Sequence, residues 1–242
     1  MNYLFYGDDT FSIREAVSTL KAQAGGADVG DVNVTTFAAA ELSLDELVAT
    51  CSTIPFLADK RVVVADGVLT RFEQGTAGRG GSRPAGPPAL GEWEKLAGHL
   101  PNIPESTDLV LVDGQLARNN PLLSRIKSKV TVRTFPVPRG SQLREWVRTR
   151  AESKGMKVEP AAVNLLAETI GGDLDTLDSE LEKLASYRMD DFVREEDVDA
   201  LVSYTREANI FATVDAMIEG RAGVAIRLVH QLLDSGRPVA YL

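Results

Sequence analysis

Residues 3 to 11 read YLFYGDDTF: an apolar strand, a short loop and the start of a helix, the place where nucleotide-binding sheets hold phosphate. A phosphate loop ends in Gly-Lys-Ser/Thr, so that bare N–H groups, a lysine and a hydroxyl can grip phosphate and magnesium. Here Gly7 is followed by Asp8, Asp9, Thr10 and Phe11, and two carboxylates stand where anionic oxygens would bind. Asp8 or Asp9 is better suited to cap the following helix by accepting its free first-turn N–H groups. Asp113, at the end of the run LVLVDG, holds the position of a magnesium carboxylate, but Gly114 stands where an acidic neighbour would orient water. Phosphoryl transfer would lack both its clamp and its activated water, and Asp113 reads as a strand-end residue.

Other chemistries are poorly served. His99 and His230 are far apart and belong to no ligand-spaced set such as His-Glu-x-x-His, so no metal site is expected. No serine has a nucleophile-elbow context. Cys51, the sole cysteine, lies on the apolar stripe of a helix and rules out an intramolecular disulfide, which suits a reducing cytoplasm. Neither a catalytic residue nor a cofactor is expected.

One loop stands apart. Ile54, Pro55, Phe56 and Leu57 follow a helix, and Ala58, Asp59, Lys60 and Arg61 lead into a strand. Proline breaks the helix and stiffens the turn. Read from the residues alone, Phe56 and Leu57 are expected to fold back under the sheet; the alternative is a pair of side chains projecting into a partner's pocket.

The elements that must position these residues are legible as alternating periods. Five β-branched or aromatic runs predict strands at 2–6, 31–37, 61–65, 108–112 and 130–135. Helical faces lie between them: Ile13, Ala16, Val17 and Leu20, then Leu44, Leu47, Val48 and Cys51, the latter opened by a capping box from Ser43 to Glu46. This alternation predicts an α/β domain with a parallel sheet flanked by helices. Residues 75–91, GTAGRGGSRPAGPPALG, cannot bury a face and are expected to form a flexible surface insertion.

After Pro136, Pro138 and Gly140 the strand signals stop and an all-α part follows. Ser141 can cap a helix presenting Leu143, Trp146 and Val147. Pro160 can open a second helix, with Gly171 as its C-cap. A third begins at Asp173 and repeats Leu174, Leu177, Leu181 and Leu184, and Asp197 to Val202 make a short fourth turn before a break near Thr205. Helices over 210–219 and 222–233 follow, closed by Gly220 and Gly236. Pro238 looks like the start of another helix, of which four more residues remain, so the chain is expected to be a truncated product.

A net charge of −9 argues against a surface that binds nucleic acid throughout, but the charge is unevenly spread. Residues 115–157 carry eleven Lys/Arg against two acids, whereas 159–219 carry sixteen acids against four basic residues. Either directed contacts or two solvated faces would account for this. No run approaches membrane-spanning length, and the opening residues form no basic leader, so a soluble cytoplasmic protein is expected.

Together these residues resemble the delta subunit of the bacterial DNA polymerase III clamp loader. The opening Tyr3-Leu4-Phe5-Tyr6-Gly7-Asp8-Asp9, with Phe11 and Ala16, is similar to that family's N-terminus, and Pro55-Phe56-Leu57-Ala58-Asp59-Lys60-Arg61 to its clamp-contacting segment. The run from Gly171 to Tyr187, GGDLDTLDSELEKLASY, is the most specific match, and similarity extends through Ile210 to Leu233.

The resemblance implies an AAA+-like N-terminal domain over 1–139 without a functional phosphate loop, a helical lid over 140–205, and over 206–242 the start of the collar through which five loader subunits form a ring. It implies a non-catalytic member of the polymerase holoenzyme that binds the sliding clamp and helps open it for loading on primed DNA. Pro55, Phe56 and Leu57 map onto the clamp contact. Arg125, Lys127, Lys129, Arg144 and Arg148 are candidates for contact with primed DNA or a neighbouring loader subunit. The competing readings are a P-loop-like NTPase or nucleotide kinase, supported by Asp113, and a free-standing DNA-binding regulator, which lacks a recognition-helix pattern.

Overall fold

A computed structural model describes residues 1–24, 30–38, 42–73, 89–187, 192–202 and 213–234. The chain divides into two compact units, 1–136 and 137–242.

In the first unit, β1 (Asn2–Tyr6), β2 (Val34–Ala38), β3 (Arg61–Asp66), β4 (Thr107–Asp113) and β5 (Thr131–Thr134) form one parallel sheet in the order β2-β3-β4-β1-β5. The expected parallel sheet flanked by helices is therefore present. Position in the sheet explains the composition of each strand. VVVA in β3 and DLVLVD in β4 are buried almost throughout, as strands covered on both faces must be, whereas the edge strands β2 and β5 are more exposed.

Alternation along each strand sends its residues to opposite faces. Leu4, Val63, Ala65, Leu109 and Leu111 pack with α2 (Leu44–Ser52), α3 (Leu96–His99) and α4 (Pro121–Ile126). Phe5, Val62, Val64 and Val110 pack with Ile13 and Val17 of α1 (Thr10–Ala24). Ser43 caps α2 by accepting the Glu46 N–H.

Most of the glycine-rich stretch lies outside the described residues. Its end does not behave as a surface insertion: Leu90 is buried in the core, and a 3-10 turn over Gly91–Lys95 places Trp93 there too. The apolar spacing of Leu90, Trp93 and Leu96 is what the high glycine and proline content obscured.

The second unit comprises α5 (Ser141–Ser153), α6 (Pro160–Ile170), α7 (Leu174–Tyr187), α8 (Glu195–Leu201), α9 over 213–218 and α10 (Ala222–Asp234). Leu174, Leu177, Leu181 and Leu184 are all buried, so the leucine repeat of α7 is a core face. Gly171 ends α6 at φ +71°, the left-handed conformation that favours glycine. Gly140, not Ser141, is the N-cap of α5, and Ser141 is its first helical residue. This unit is not wholly helical: Lys157–Val158 and Phe192–Val193 pair as two-residue parallel strands, β6 and β7, too short to leave a period in the sequence. The break near Thr205 and the closing Gly236 lie outside the described residues.

Candidate functional site

Where a phosphate would lie, the backbone is closed upon itself. The Gly7 N–H donates to the carbonyls of Asp113 and Gly114, at 3.3 and 3.2 Å, and the Asp9 N–H donates to that of Phe135 at 3.0 Å. Asp9 is buried, and its Oδ1 accepts the Ser12 N–H at 2.8 Å, so Asp9 is the cap of α1 and Asp8 stays exposed. An incoming phosphate would meet a carboxylate in place of free N–H groups.

Asp113 is likewise occupied. Its Oδ1 accepts the Thr70 N–H at 2.8 Å and the Thr70 hydroxyl at 2.7 Å, and its Oδ2 accepts the Leu69 N–H at 3.1 Å. Beside it Asn120 caps α4 through the Leu122 and Leu123 N–H groups and donates to the Leu69 carbonyl and to Glu73. Burial raises the Asp113 pKa, against the lowering effect of these bonds. The carboxylate is a brace for the 69–73 segment, more than the simple strand-end residue of the sequence reading. Its position is a poor one for a magnesium ligand. Asp113 gave no hint of its partners, which lie more than forty residues back.

At the opposite end of the strands, where β2 and β3 begin, the α2–β3 connection carries its apolar residues outward. Ile54 is 83% exposed, Phe56 58% and Leu57 79%, while Pro55 is half-buried. The expectation that Phe56 and Leu57 fold back under the sheet is therefore incorrect. The core beneath is already filled by Leu44, Leu47 and Cys51 from α2, and the loop backbone is tied down facing away from it.

That tie is Asn33. It is wholly buried, its Oδ1 accepts the Phe56 N–H at 2.6 Å and its Nδ2 donates to the Phe56 carbonyl at 2.8 Å. Leu57, next along, has φ +48° and is the non-glycine residue with positive φ among those described. Lys60 closes the loop by donating to the Glu105 carbonyl at 2.6 Å, with Asp108 3.6 Å away. Sequence reasoning missed Asn33; its one signal was a polar amide between Val32 and Val34, where strands are depleted in asparagine.

The five basic candidates are divided between the two units. Arg125 lies on α4, with Lys127 at its C-cap and Lys129 just beyond, whereas Arg144 and Arg148 lie on α5 in the second unit. Arg125 pairs with Glu94 at 3.2 Å, Lys129 donates to the Ala97 carbonyl, and Arg148 is held by Glu145 and Glu152 at 2.6 and 2.7 Å. The basic stretch is thus partly neutralised, by Glu94 from outside it and by Glu145 and Glu152 on the same helix. Arg150 and Lys154 likewise share Asp178.

His99 lies on α3 and His230 on α10. Among the described residues no three His, Cys, Asp or Glu side chains are grouped to hold a metal ion. Cys51 is buried, and its thiol is pushed up to about 12 by desolvation, with nearby Arg61 opposing the shift. Among the described residues no helix is long and apolar enough to cross a membrane.

With the sheet and the loops at both its ends defined, residues 3–135 match the family model for the DNA polymerase III delta subunit. The chain belongs to that family. It is 20% identical to the DNA polymerase III subunit delta of Bacillus subtilis (strain 168), over 96% of this chain and 65% of the relative's length. The solved Bacillus subtilis DNA clamp loader delta protein superposes with a TM-score of 0.66 at 19% identity, over 98% of this chain and 68% of that one, which supports the same fold. In this delta-family chain the closed Gly7–Asp9 loop follows the C-terminal end of β1, and the exposed Phe56–Leu57 turn precedes the N-terminal end of β3, so the two lie at opposite ends of one parallel sheet.

Proposed function

We propose that this chain is a non-catalytic clamp-loader subunit that binds the ring-shaped sliding clamp through Pro55, Phe56 and Leu57 and helps to open it for loading on primed DNA. One observation carries the reading: two large apolar side chains stand exposed on a loop whose backbone is hydrogen-bonded in place. Exposed, rigid apolar anchors are what a partner's pocket requires. Burying Phe56 and Leu57 contributes on the order of 1.5 to 3 kcal/mol each before ordering costs. Binding opens the ring only if the chain prefers the opened clamp interface to the closed one.

The engaged carboxylates of Asp9 and Asp113 favour this reading over an NTPase or nucleotide kinase. Residues 140–205 then serve as the lid and 206–242 as part of a collar that meets the other loader subunits in a cytoplasmic hetero-oligomer. Lys127 and Arg144, which form neither an ion pair nor a side-chain hydrogen bond among the described residues, are the members of the basic set best placed to contact DNA phosphates or a neighbouring subunit.

The test is surface plasmon resonance against the cognate sliding clamp. Phe56→Ala with Leu57→Ala is expected to weaken binding more than tenfold, a change above about 1.4 kcal/mol, without altering thermal stability. Undiminished binding by the double variant overturns the assignment.

A further inference from the structure

The amide of Asn33 is buried, yet both its donor and its acceptor are spent on a single residue of a loop 23 positions away. Accepting the Phe56 N–H and donating to the Phe56 carbonyl, it holds the peptide groups on either side of that residue, much as a strand neighbour would. The loop needs such a hold for two reasons. Leu57 sits at φ +48°, a conformation that costs a side-chain-bearing residue stability. Ile54, Phe56 and Leu57 also face water, where a slack loop would turn them inward.

Among the described residues, the other hydrogen bonds to the loop act at its ends. Thr53 bonds back to α2, its N–H to the Thr50 carbonyl and its hydroxyl to that of Ala49. Lys60 is anchored on the Glu105 carbonyl. Between them Asn33 is the side chain that holds the tip. Val32, 60% exposed and immediately before Asn33, adds a further apolar side chain at this end of the sheet.

We infer that Asn33 is the positioning residue of the clamp contact: it holds Phe56 and Leu57 in their binding conformation before the partner arrives, an inference that rests on the clamp-binding reading above. Ordering done in the free chain need not be done on binding, so its loss appears as weaker affinity with no contact removed. Asn33 itself is buried and offers the partner nothing to touch.

The experiment is a double-mutant cycle on the full chain, read by affinity for the sliding clamp, with amide hydrogen exchange of the wild-type chain beside it. Asn33→Ala is expected to weaken binding about five- to twentyfold while the chain stays folded, and to have no further effect when Phe56→Ala and Leu57→Ala are already present. The wild-type Phe56 amide is expected to exchange slowly despite its exposed side chain. Full affinity in a folded Asn33→Ala chain, with binding lost in the Phe56/Leu57 variant, overturns the positioning role alone. Undiminished binding by the Phe56/Leu57 variant overturns the clamp reading and the role with it. Rapid exchange at Phe56 removes the clasp whatever the variants do.

Discussion

The carbonyl oxygen of Phe135 lies 2.1 Å from the point where a β-carbon on residue 7 would stand, and the same oxygen accepts the Asp9 N–H. Gly7, at φ +147°, can therefore be nothing larger: the clash is with backbone, which cannot swing aside, and the conformation is one that side chains rarely adopt. The glycine at this position permits a tight junction between β1, β5 and α1. Gly7→Ala should cost about 3 kcal/mol or more of stability. Urea unfolding measures it, and a loss below about 0.5 kcal/mol would mean that the junction yields easily.

Asp113 makes stability depend on pH in a defined direction. Its folded-state pKa is raised above the ordinary value of 3.8, so the folded chain holds the proton more tightly than the unfolded one. The contribution of this carboxyl is full below 3.8 and is lost as pH rises through the folded-state value. Asp113→Asn cannot accept all three bonds from Leu69 and Thr70 and should lose roughly 1 to 3 kcal/mol at neutral pH. Because the variant lacks the titration, the gap between it and the native chain should narrow as pH rises from acid toward neutral. Denaturant titrations across that range give the answer, and a gap independent of pH would contradict it.

Leu57 offers a substitution that separates binding from folding. Asparagine tolerates the left-handed conformation better than leucine and leaves no apolar side chain in water. Leu57→Asn should hold stability constant or raise it by up to about 1 kcal/mol, while reducing affinity for the sliding clamp. Thermal melts paired with clamp titrations test both halves. A marked fall in stability would show that Leu57 is packed and not presented.

Cys51 should be inert in the folded state. A buried thiol with a pKa near 12 presents almost no thiolate at neutral pH. Alkylation should therefore follow the unfolding rate, rising sharply in denaturant. Rapid labelling of the native chain would place the thiol within reach of solvent.

The central strands, the helix faces of Ile13 with Val17 and of Leu174 through Leu184, and the caps at Ser43 and Gly171 were all readable from the chain. Each is a local fact: a residue's neighbours within one or two turns decide its period and its cap. The small strands β6 and β7 escaped because two residues cannot express a period, and Leu90 was hidden in glycine-rich surroundings.

Sequence alone determined that a phosphate loop was missing its lysine and that Phe56 and Leu57 were the apolar residues of a stiff turn. Whether those side chains faced the core or the solvent was decided by Asn33, which meets Phe56 only when β2 and β3 pair in register. The role of Asp113 was decided by Leu69 and Thr70, brought to the end of β4 by the crossover from β3. Spacing records what neighbours along the chain can do. Hydrogen bonds between distant segments depend on how those segments pack, and they settle which way a loop faces and whether a carboxylate is free.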